Sequence, residues 1–369
     1  MNKTTRIALV AVPLALAYPA AAWLIGMQVE AAIAKQYELI ADNPSLQIVQ
    51  RDYRRRLFGA TETLTLELFP GVTQQATLQR QQALAANPGM SLPPVRPMRV
   101  TLRSDIRHGP LPGLKTLAAA VVDSELVLDE ALGQQAAALF GEQKPLQAHT
   151  VYRFDGGGVS TLSSPAFSTY WSAAEGAGKN LLAWDGLTMH VDFEPGLRRY
   201  TLRAEAPRLE FKASRGGQAT LLGMRLEGTQ ERLFADDPLL YGGTQKFSLA
   251  RVAVGGEDGG EPVEMRRVHY EAEVPLKGDF IDLIGRFGSE SLRIAGADYG
   301  PAHYDVSVRH VHARTMAKFY REAMRISADA EMQAVAQTSP GQVLAPLVGP
   351  ALELLKHDPE ISIDRLSFR

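Results

Sequence analysis

Residues 187–193, Leu-Thr-Met-His-Val-Asp-Phe, alternate apolar and polar side chains one for one. Successive side chains of a β-strand point to opposite faces, so this stretch predicts a strand with one face on a core and one in water. The same alternation recurs along the chain, at 64–68, 98–103, 200–204, 222–226, 247–254, 268–274, 304–308 and 361–363. Glycine clusters between these runs, at 156–158, 242–243 and 255–260, predict turns.

A few segments predict helices instead. They are residues 116–122, 130–140, 314–337 and 343–356. Strands and helices do not alternate as they would in a doubly wound fold. The pattern therefore predicts a mainly β, α+β protein, with a large, curved antiparallel sheet and a few packed helices behind one N-terminal transmembrane helix. Residues 1–44 would form the anchor and a helical stalk, and residues 45–369 would form one β-rich domain.

The transmembrane prediction rests on the run from Ile7 to Val29, which includes Trp23 and carries no formal charge. As a helix, these 23 residues would span roughly 34 Å, enough for a bilayer core. Lys3 and Arg6 precede the run, which predicts a cytoplasmic N-terminus and translocation of the rest of the chain. A cleaved signal peptide is one alternative, because residues 20–22 are the small residues that a signal peptidase needs. A buried core helix at the N-terminus is the other.

Composition excludes several kinds of chemistry. The chain has no cysteine, so thiol nucleophiles, iron–sulfur clusters and cysteine-based zinc sites are excluded. Its formal net charge is -2, which favours no nucleic acid partner. The motifs of serine hydrolases, zinc metalloproteases and P-loop proteins are absent from the sequence. We therefore expect no cofactor and no catalytic residues.

Two side-chain groups are the candidates for binding. His310 and His312, with His303 upstream, have the spacing of metal ligands on one strand face, but the pattern is more typical of solvated or hydrogen-bonded histidines, so we expect no metal site. Four arginines follow the N-terminal segment, where they could contact anionic lipid or pair with acidic groups. They are Arg51, Arg54, Arg55 and Arg56. Carboxylates at Asp236 and Asp237 stand in a turn context, which predicts a structural role.

Residues 51–60, Arg-Asp-Tyr-Arg-Arg-Arg-Leu-Phe-Gly-Ala, resemble the Y-x-R-G-L-F-S-S segment of the YdgA-like proteins. Here Arg56 replaces the family's glycine, and Gly59 and Ala60 replace its two serines. Further stretches are similar to family motifs in the same order, at 145–167, 184–187, 239–243 and 358–363. The resemblance implies anchoring in the inner membrane of Gram-negative bacteria, with the bulk of the chain in the periplasm. Relatives usually continue past the last motif, which predicts an incomplete final sheet.

The resemblance supplies no active site, so the function has to be expected from the architecture. The first expectation is a non-enzymatic envelope scaffold, with the inner membrane bilayer, envelope proteins or a second copy of the chain as partners. The second is a lipid-handling protein that uses the apolar sheet face. The third is an envelope hydrolase, which would need a cleft with convergent polar groups.

The predicted topology can be tested with a reporter enzyme that is active only in the periplasm. A fusion after Arg369 should be active, and an insertion before Ile7 should be silent, because the positive residues hold the N-terminus inside. The opposite pattern of activity would show that the orientation is wrong.

Overall fold

The structure, a computed structural model, describes residues 3–41, 43, 45–87, 89–128, 130–172, 178–214, 217–255, 263–329, 332 and 340–369. Within these residues the chain is mainly β: nineteen strands join in one antiparallel sheet that a few helices accompany. The predicted fold class is confirmed in this respect.

The strands are β1 (Leu46–Arg55), β2 (Gly59–Leu68), β3 (Met98–His108), β4 (Ala120–Val127), β5 (Gln147–Tyr152), β6 (Gly158–Ser164), β7 (Phe167–Ser172), β8 (Lys179–Trp184), β9 (Leu187–Phe193), β10 (Arg199–Lys212), β11 (Gln218–Phe234), β12 (Asp237–Gly255), β13 (Val263–Val274), β14 (Leu276–Lys277), β15 (Phe280–Ser289), β16 (Ser291–Ile294), β17 (Ala297–Tyr299), β18 (Ala302–His312) and β19 (Glu360–Ser367). The α-helices are α1 (Lys3–Ala41), α2 (Pro70–Ala86), α3 (Glu130–Phe140), α4 (Ala313–Ala328) and α5 (Pro340–Leu355).

The main ladder runs β1-β2-β3-β4-β5-β6-β9-β10-β11-β12-β13-β15-β18-β19. The hairpin β7–β8 joins at the end of β10, and the short strands β14, β16 and β17 pair beside β13 and β15. Most neighbours in the ladder are also neighbours in sequence. In the described residues β1 and β19 each pair with one strand only, so the sheet is open.

The solvent-accessible surface shows how open the sheet is. It measures 22208 Å² for a chain of 40.2 kDa. A compact monomer of that mass would expose about 14,500 Å². The excess shows that the chain is less compact than a typical globular protein, and exposed apolar side chains of the sheet such as Tyr270, Tyr304 and Ile361 contribute to it.

The sheet also curves. Helix α2 follows β2, and α4 follows β18, which lies eleven strand spacings further along the ladder. A flat sheet would place these strands about 50 Å apart, yet the two helices are in contact. The curvature therefore brings elements near the two ends of the ladder together.

Helix α1 packs on the sheet at its first end. Val29 and Ile33 of α1 are buried with Ala60, Ile106 and Ala120 of β2, β3 and β4. The spacing of the buried α1 residues is that of one helix face. This contact forms the first hydrophobic cluster of the protein.

The closest approach in this cluster lies at His108, whose ring is buried. Its Nδ1–H donates to the backbone oxygen of Ala22 at 3.0 Å. A Cβ on Gly26 would lie 2.4 Å from the ring, and a Cβ on Gly109 would lie 3.1 Å from the Ala22 side chain. Small residues at these positions therefore allow α1 to touch β3.

No helix in the described part of the chain is both long and apolar enough to cross a bilayer. The transmembrane helix predicted over Ile7–Val29 is accordingly not found. In the structure Val29 is buried against the sheet and Trp23 is exposed on the other side of α1, while the side chain of Ile7 lies outside the described residues. The run therefore contributes residues to the hydrophobic cluster on β2 to β4.

A second cluster covers the other end of the ladder. Ala313 and Ala317 of α4 are buried with Leu240, Ile281 and Val311 of β12, β15 and β18, and Leu354 of α5 packs against them. In the described residues no third cluster of buried residues lies between these two. The apolar face of the sheet is thus covered by helices mainly near its two ends.

Replacing Gly26 by alanine should weaken the docking of α1, because the new Cβ would force the His108 ring to move. We expect the free energy of unfolding to fall by roughly 1–3 kcal/mol in a denaturant titration. Gly133→Ala is the matched control, since a Cβ at Gly133 of α3 meets nothing within 4 Å and should add ~0.5–1 kcal/mol. A Gly26→Ala protein as stable as the parent would contradict the described contact.

Stability should also depend on pH through His108. Burial lowers the pKa of its imidazole, so the unfolded chain binds this proton more readily than the folded protein. The contribution is complete above about pH 6.5 and is lost as the pH falls toward the lowered pKa. We expect the Tm of the parent to decrease between pH 7 and 5, and that of His108→Gln to decrease less. Equal decreases would contradict this role.

Candidate functional site

The polar face of the sheet carries a continuous row of side chains, which we call the polar row. Pair by pair, the strand register aligns Thr61, Asp105, Asp123, His149, Thr161, His190, Arg203, Glu227, Lys246, Glu271, Arg286, Asp305 and Arg365. The row crosses the ladder from β2 to β19 at right angles to the strands. Chemistry-bearing residues that are far apart in sequence are thus brought side by side.

Neighbours in the polar row neutralise one another. The Nε–H of Arg203 donates to Glu227 at 3.2 Å, and the Lys246 ammonium lies 2.5 Å from Glu271. The hydrogen bond that Glu271 accepts from Lys246 holds the pKa of the Glu271 carboxyl below the usual range. These are cross-strand ion pairs on an open face, which stabilise a sheet modestly.

The part of the row nearest to catalytic geometry lies over β3 to β6, at an open depression of about 360 Å³. Here the ring of His149 makes a 2.6 Å contact with the Asp123 carboxylate through Nδ1. The Thr161 hydroxyl contacts a different imidazole, that of His190, at 3.0 Å. An activated hydroxyl needs one base that contacts it and is itself oriented by an acid. Here the histidine that contacts the acid, His149, is not the histidine that contacts the hydroxyl, His190, so the three groups do not form a catalytic triad.

The opposite face carries an apolar row, which is formed by the residues that stand next to the polar row along each strand. It consists of Ala148, Leu162, Met189, Ala204, Leu226, Phe247, Tyr270, Phe287, Tyr304 and Leu366. Tyr270, Tyr304 and Leu366 are exposed, although they lie on the face that α4 and α5 cover elsewhere. The apolar row therefore reaches the sheet edge without a cover.

The last strand completes this exposed surface. Ile361, Ile363 and Leu366 of β19 share the face of the apolar row and are 79, 60 and 73% exposed. In the described residues β19 pairs with β18 alone, so its outer backbone edge has no strand beside it. An exposed edge with apolar side chains is a template for another strand. We call β19 and the exposed end of the apolar row the edge surface.

The opposite edge of the sheet has different chemistry. Strand β1 carries Arg51, Arg54 and Arg55, and charged side chains on an edge disfavour pairing with another chain. Arg51 lies 2.7 Å from Glu62, Arg54 lies 2.7 Å from Asp52, and Arg55 lies 3.1 Å from Glu30. Three of the four arginines that the sequence places after the N-terminal segment therefore contact acidic groups of the same chain.

Arg56, the fourth member of that group, is exposed in the turn between β1 and β2. It stands next to Leu57 and Phe58, which are also exposed. The sequence grouped these four arginines by spacing, but the structure places Arg56 in a different environment from the other three.

Glu62 is the buried centre of this region. The Tyr37 hydroxyl donates to one carboxylate oxygen at 2.7 Å, and the Nε–H of Arg51 donates to the other at 2.7 Å. Burial, together with the Glu62 charge, raises the pKa of Tyr37, and burial raises the pKa of Tyr53 to about 12. Both phenols therefore stay neutral. The hydrogen bonds of Tyr37 and Arg51 to the Glu62 carboxylate are charge-assisted, and they tie α1 and β1 to β2.

The histidines do not form the arrangement that their spacing suggested. The backbone of His310 has a left-handed φ of 59°, beside an irregularity in the β15–β18 register. Its ring stacks on Phe280 with centroids 3.9 Å apart, and its Nδ1 contacts the backbone oxygen of His357 at 2.8 Å. His312 instead uses Nδ1 to cap α4 at Thr315. The two rings therefore make different hydrogen bonds, although both also contact Phe280 and His357.

The remaining candidates are also separated. His303 contacts Ser367 at 3.1 Å, Asp236 pairs with Arg314 at 3.0 Å, and the buried Asp237 pairs with Arg321 at 2.6 Å. Among the described residues no group of three or more histidine or carboxylate side chains could hold a metal ion.

Sequence reasoning identified the alternating strands but missed the polar row and the edge surface. The alternation that builds both rows was visible at 187–193 and elsewhere. The order and register of the strands, which align these positions, leave no signal in a single sequence. The edge surface could have been suspected from the apolar alternation at 361–363.

Comparison with known proteins identifies a family but no characterised relative. No curated protein and no solved structure matches the chain. The family described as bacterial protein of unknown function, DUF945, matches residues 1–369. The chain therefore belongs to the DUF945 family of bacterial proteins of unknown function.

Proposed function

We propose that this protein is a non-enzymatic scaffold of the bacterial envelope that self-associates through its edge surface. The location that we propose is the inner membrane, with the bulk of the chain in the periplasm, which follows from the uncharged N-terminal run and from the resemblance to YdgA-like proteins. The observation that carries the scaffold proposal is the bare strand β19, with Ile361, Ile363 and Leu366 exposed on it.

The partner of this surface must satisfy two kinds of group. The exposed side chains need apolar contact, and the outer N–H and C=O groups of β19 need hydrogen bonds. A lipid chain offers the first kind of contact alone. A β-strand offers both, which favours pairing with a protein strand.

The charges on β19 favour a second copy as the source of that strand. Glu360 and Arg365 stand near opposite ends of β19. If two copies pair antiparallel with Ile361 opposite Leu366 of the other copy, Glu360 of one approaches Arg365 of the other on the diagonal. Opposite charges at this separation stabilise cross-strand pairing. Such an interface is symmetric and closes as a dimer.

A second candidate function is lipid handling along the apolar row. The aromatic part of the row, Phe247, Tyr270, Phe287 and Tyr304, extends inward from β19 over four further strands of the ladder, β18, β15, β13 and β12. An acyl chain could lie across these rings without using the backbone edge. This alternative predicts bound lipid in a monomer.

Pairing can be tested with single-cysteine variants, because the chain has no cysteine of its own. With a short thiol-reactive cross-linker, purified full-length Ile363→Cys should give a covalent dimer. Val254→Cys should not, although Val254 is also exposed, because it lies on β12 with strands on both sides. Adding Ile361→Lys to Ile363→Cys should abolish the dimer, because it places a charged side chain opposite the apolar Leu366 of the other copy.

Mass measurement of the untreated protein distinguishes the candidates. A dimer that Ile361→Lys converts to monomer, with Val254→Lys still dimeric, supports self-association. A monomer at micromolar concentration that carries phospholipid contradicts it and supports lipid handling. A different protein linked to position 363 would show that the edge surface serves another partner.

A further inference from the structure

A second exposed apolar surface lies where α1 meets the ends of β1 to β4. Two connections form it, the turn between β1 and β2 and the loop between β3 and β4. Leu57 and Phe58 in the first are 44 and 46% exposed, and Leu114 and Leu117 in the second are 74 and 77% exposed. We call these four residues the loop rim. Solvent-exposed leucines and phenylalanines gathered in two adjacent loops mark a contact surface.

The two loops are held together beside α1. The backbone N–H of His108 donates to the Phe58 oxygen at 3.1 Å, which joins the first turn to the base of the second loop. The Tyr18 hydroxyl donates to the Leu111 oxygen at 2.9 Å, and its ring lies 5.9 Å from that of Phe58. Tyr18 therefore contacts both connections, and α1 continues beyond it to Lys3.

The apolar exposure continues onto α1. Ala22 and Val29 are buried against the sheet, whereas Trp23, Leu24 and Met27 on the other side of the helix are exposed. The guanidinium of Arg55 lies 4.0 Å above the Trp23 ring. Tryptophan with a neighbouring arginine is typical of the level of lipid headgroups.

The charged residues within the two loops themselves are cationic. Arg56 and Lys115 are exposed beside it, and no Asp or Glu occurs at 53–61 or at 107–122. Elsewhere on this molecule exposed cations commonly have acidic neighbours, as Arg203 and Lys246 do in the polar row. A patch that combines apolar tips with the exposed cations Arg56 and Lys115 is complementary to a surface of anionic phosphates.

The loop between β3 and β4 is stiff where it presents its leucines. Pro110 and Pro112 fix their own backbone angles, and Leu114 adopts a left-handed φ of 58°. The side chain of Leu114 is nevertheless the second most exposed of the four. A rigid loop loses little conformational freedom when it binds.

We propose that the loop rim is a membrane-contact surface, which inserts into the headgroup region of an anionic bilayer beside the N-terminal part of α1. Leu57, Phe58, Leu114 and Leu117 would enter the boundary with the acyl chains, while Arg56 and Lys115 bind lipid phosphates. The uncharged residues 7–17 precede Tyr18 in sequence and make this contact continuous with the apolar N-terminal segment. This inference concerns the opposite end of the ladder from β19 and is independent of self-association there.

The absence of native cysteine allows a direct test with one fluorophore per molecule. Full-length Leu114→Cys and Leu117→Cys are labelled with an environment-sensitive dye and reconstituted into phosphatidylglycerol–phosphatidylcholine vesicles. We expect blue-shifted emission, protection from an aqueous quencher and quenching by spin-labelled lipid. Met90→Cys is the control. Met90 is exposed and precedes Met98, the end of β3 that is opposite to the loop rim, and the two ends of β3 are about 30 Å apart.

The control should remain open to the aqueous quencher. Equal accessibility of the dye at positions 90, 114 and 117 in vesicles would overturn the proposal. Protection of positions 114 and 117 in detergent-free solution without vesicles would also overturn it, because a second protein copy would then cover the rim. Weaker protection in pure phosphatidylcholine, restored by phosphatidylglycerol, would support the role of Arg56 and Lys115. Since all the substituted side chains are exposed, circular dichroism should show the same fold in each variant.

Discussion

The two-residue period of the strands, kept in register across the ladder, is the constraint on which the rest of this structure depends. A slip of one residue at any strand would move its leucines to the polar side and its charges to the apolar side. The register instead keeps Leu162 beside Met189 and Leu226 beside Phe247, while Thr161 stays beside His190 and Glu227 beside Lys246. Each strand therefore extends both rows, and the sheet can grow without a second layer.

The covering helices are placed by the size of the side chains on the apolar face. Small residues allow α1 to approach β3 and β4 closely, and Ala120 is fully buried at that contact. Alanines of α4 do the same at the other end, where Ala313 and Ala317 pack on Ile281 and Val311. Between these ends, larger side chains such as Phe247 and Tyr270 fill the face themselves. Beyond the second cluster the apolar face is open again toward β19, where Tyr304 and Leu366 are exposed.

Much of the β-structure could be predicted because alternation is a local signal, and α3 was predicted with its observed bounds, Glu130–Phe140. The helix predicted at 116–122 was wrong: from Ala120 onward the chain forms β4. Its alanines suit the narrow space beneath α1 in the folded chain, although alanine also has the highest helix propensity. Helix α2 was missed because its glutamine-rich sequence has little amphipathic pattern. The strand irregularity at His310, where the backbone adopts a left-handed φ, leaves no signal in a single sequence.

An open sheet in which each strand contacts mainly its two neighbours resembles a linear array more than a sphere. In such arrays the free energy of unfolding is a sum of local terms, so a destabilising change at one place affects mainly the neighbouring elements. The strands between the two helix-covered ends have few contacts with helices besides that of α1 with the turn at Pro195–Leu197 and that of α3 with β7, so they should be the weakest part of the molecule. Opening there would leave a unit held by α1 and a unit held by α4 and α5, each with its own hydrophobic cluster, still in contact through α2 and α4. The chain would then behave as two cooperative folding units joined through one continuous sheet.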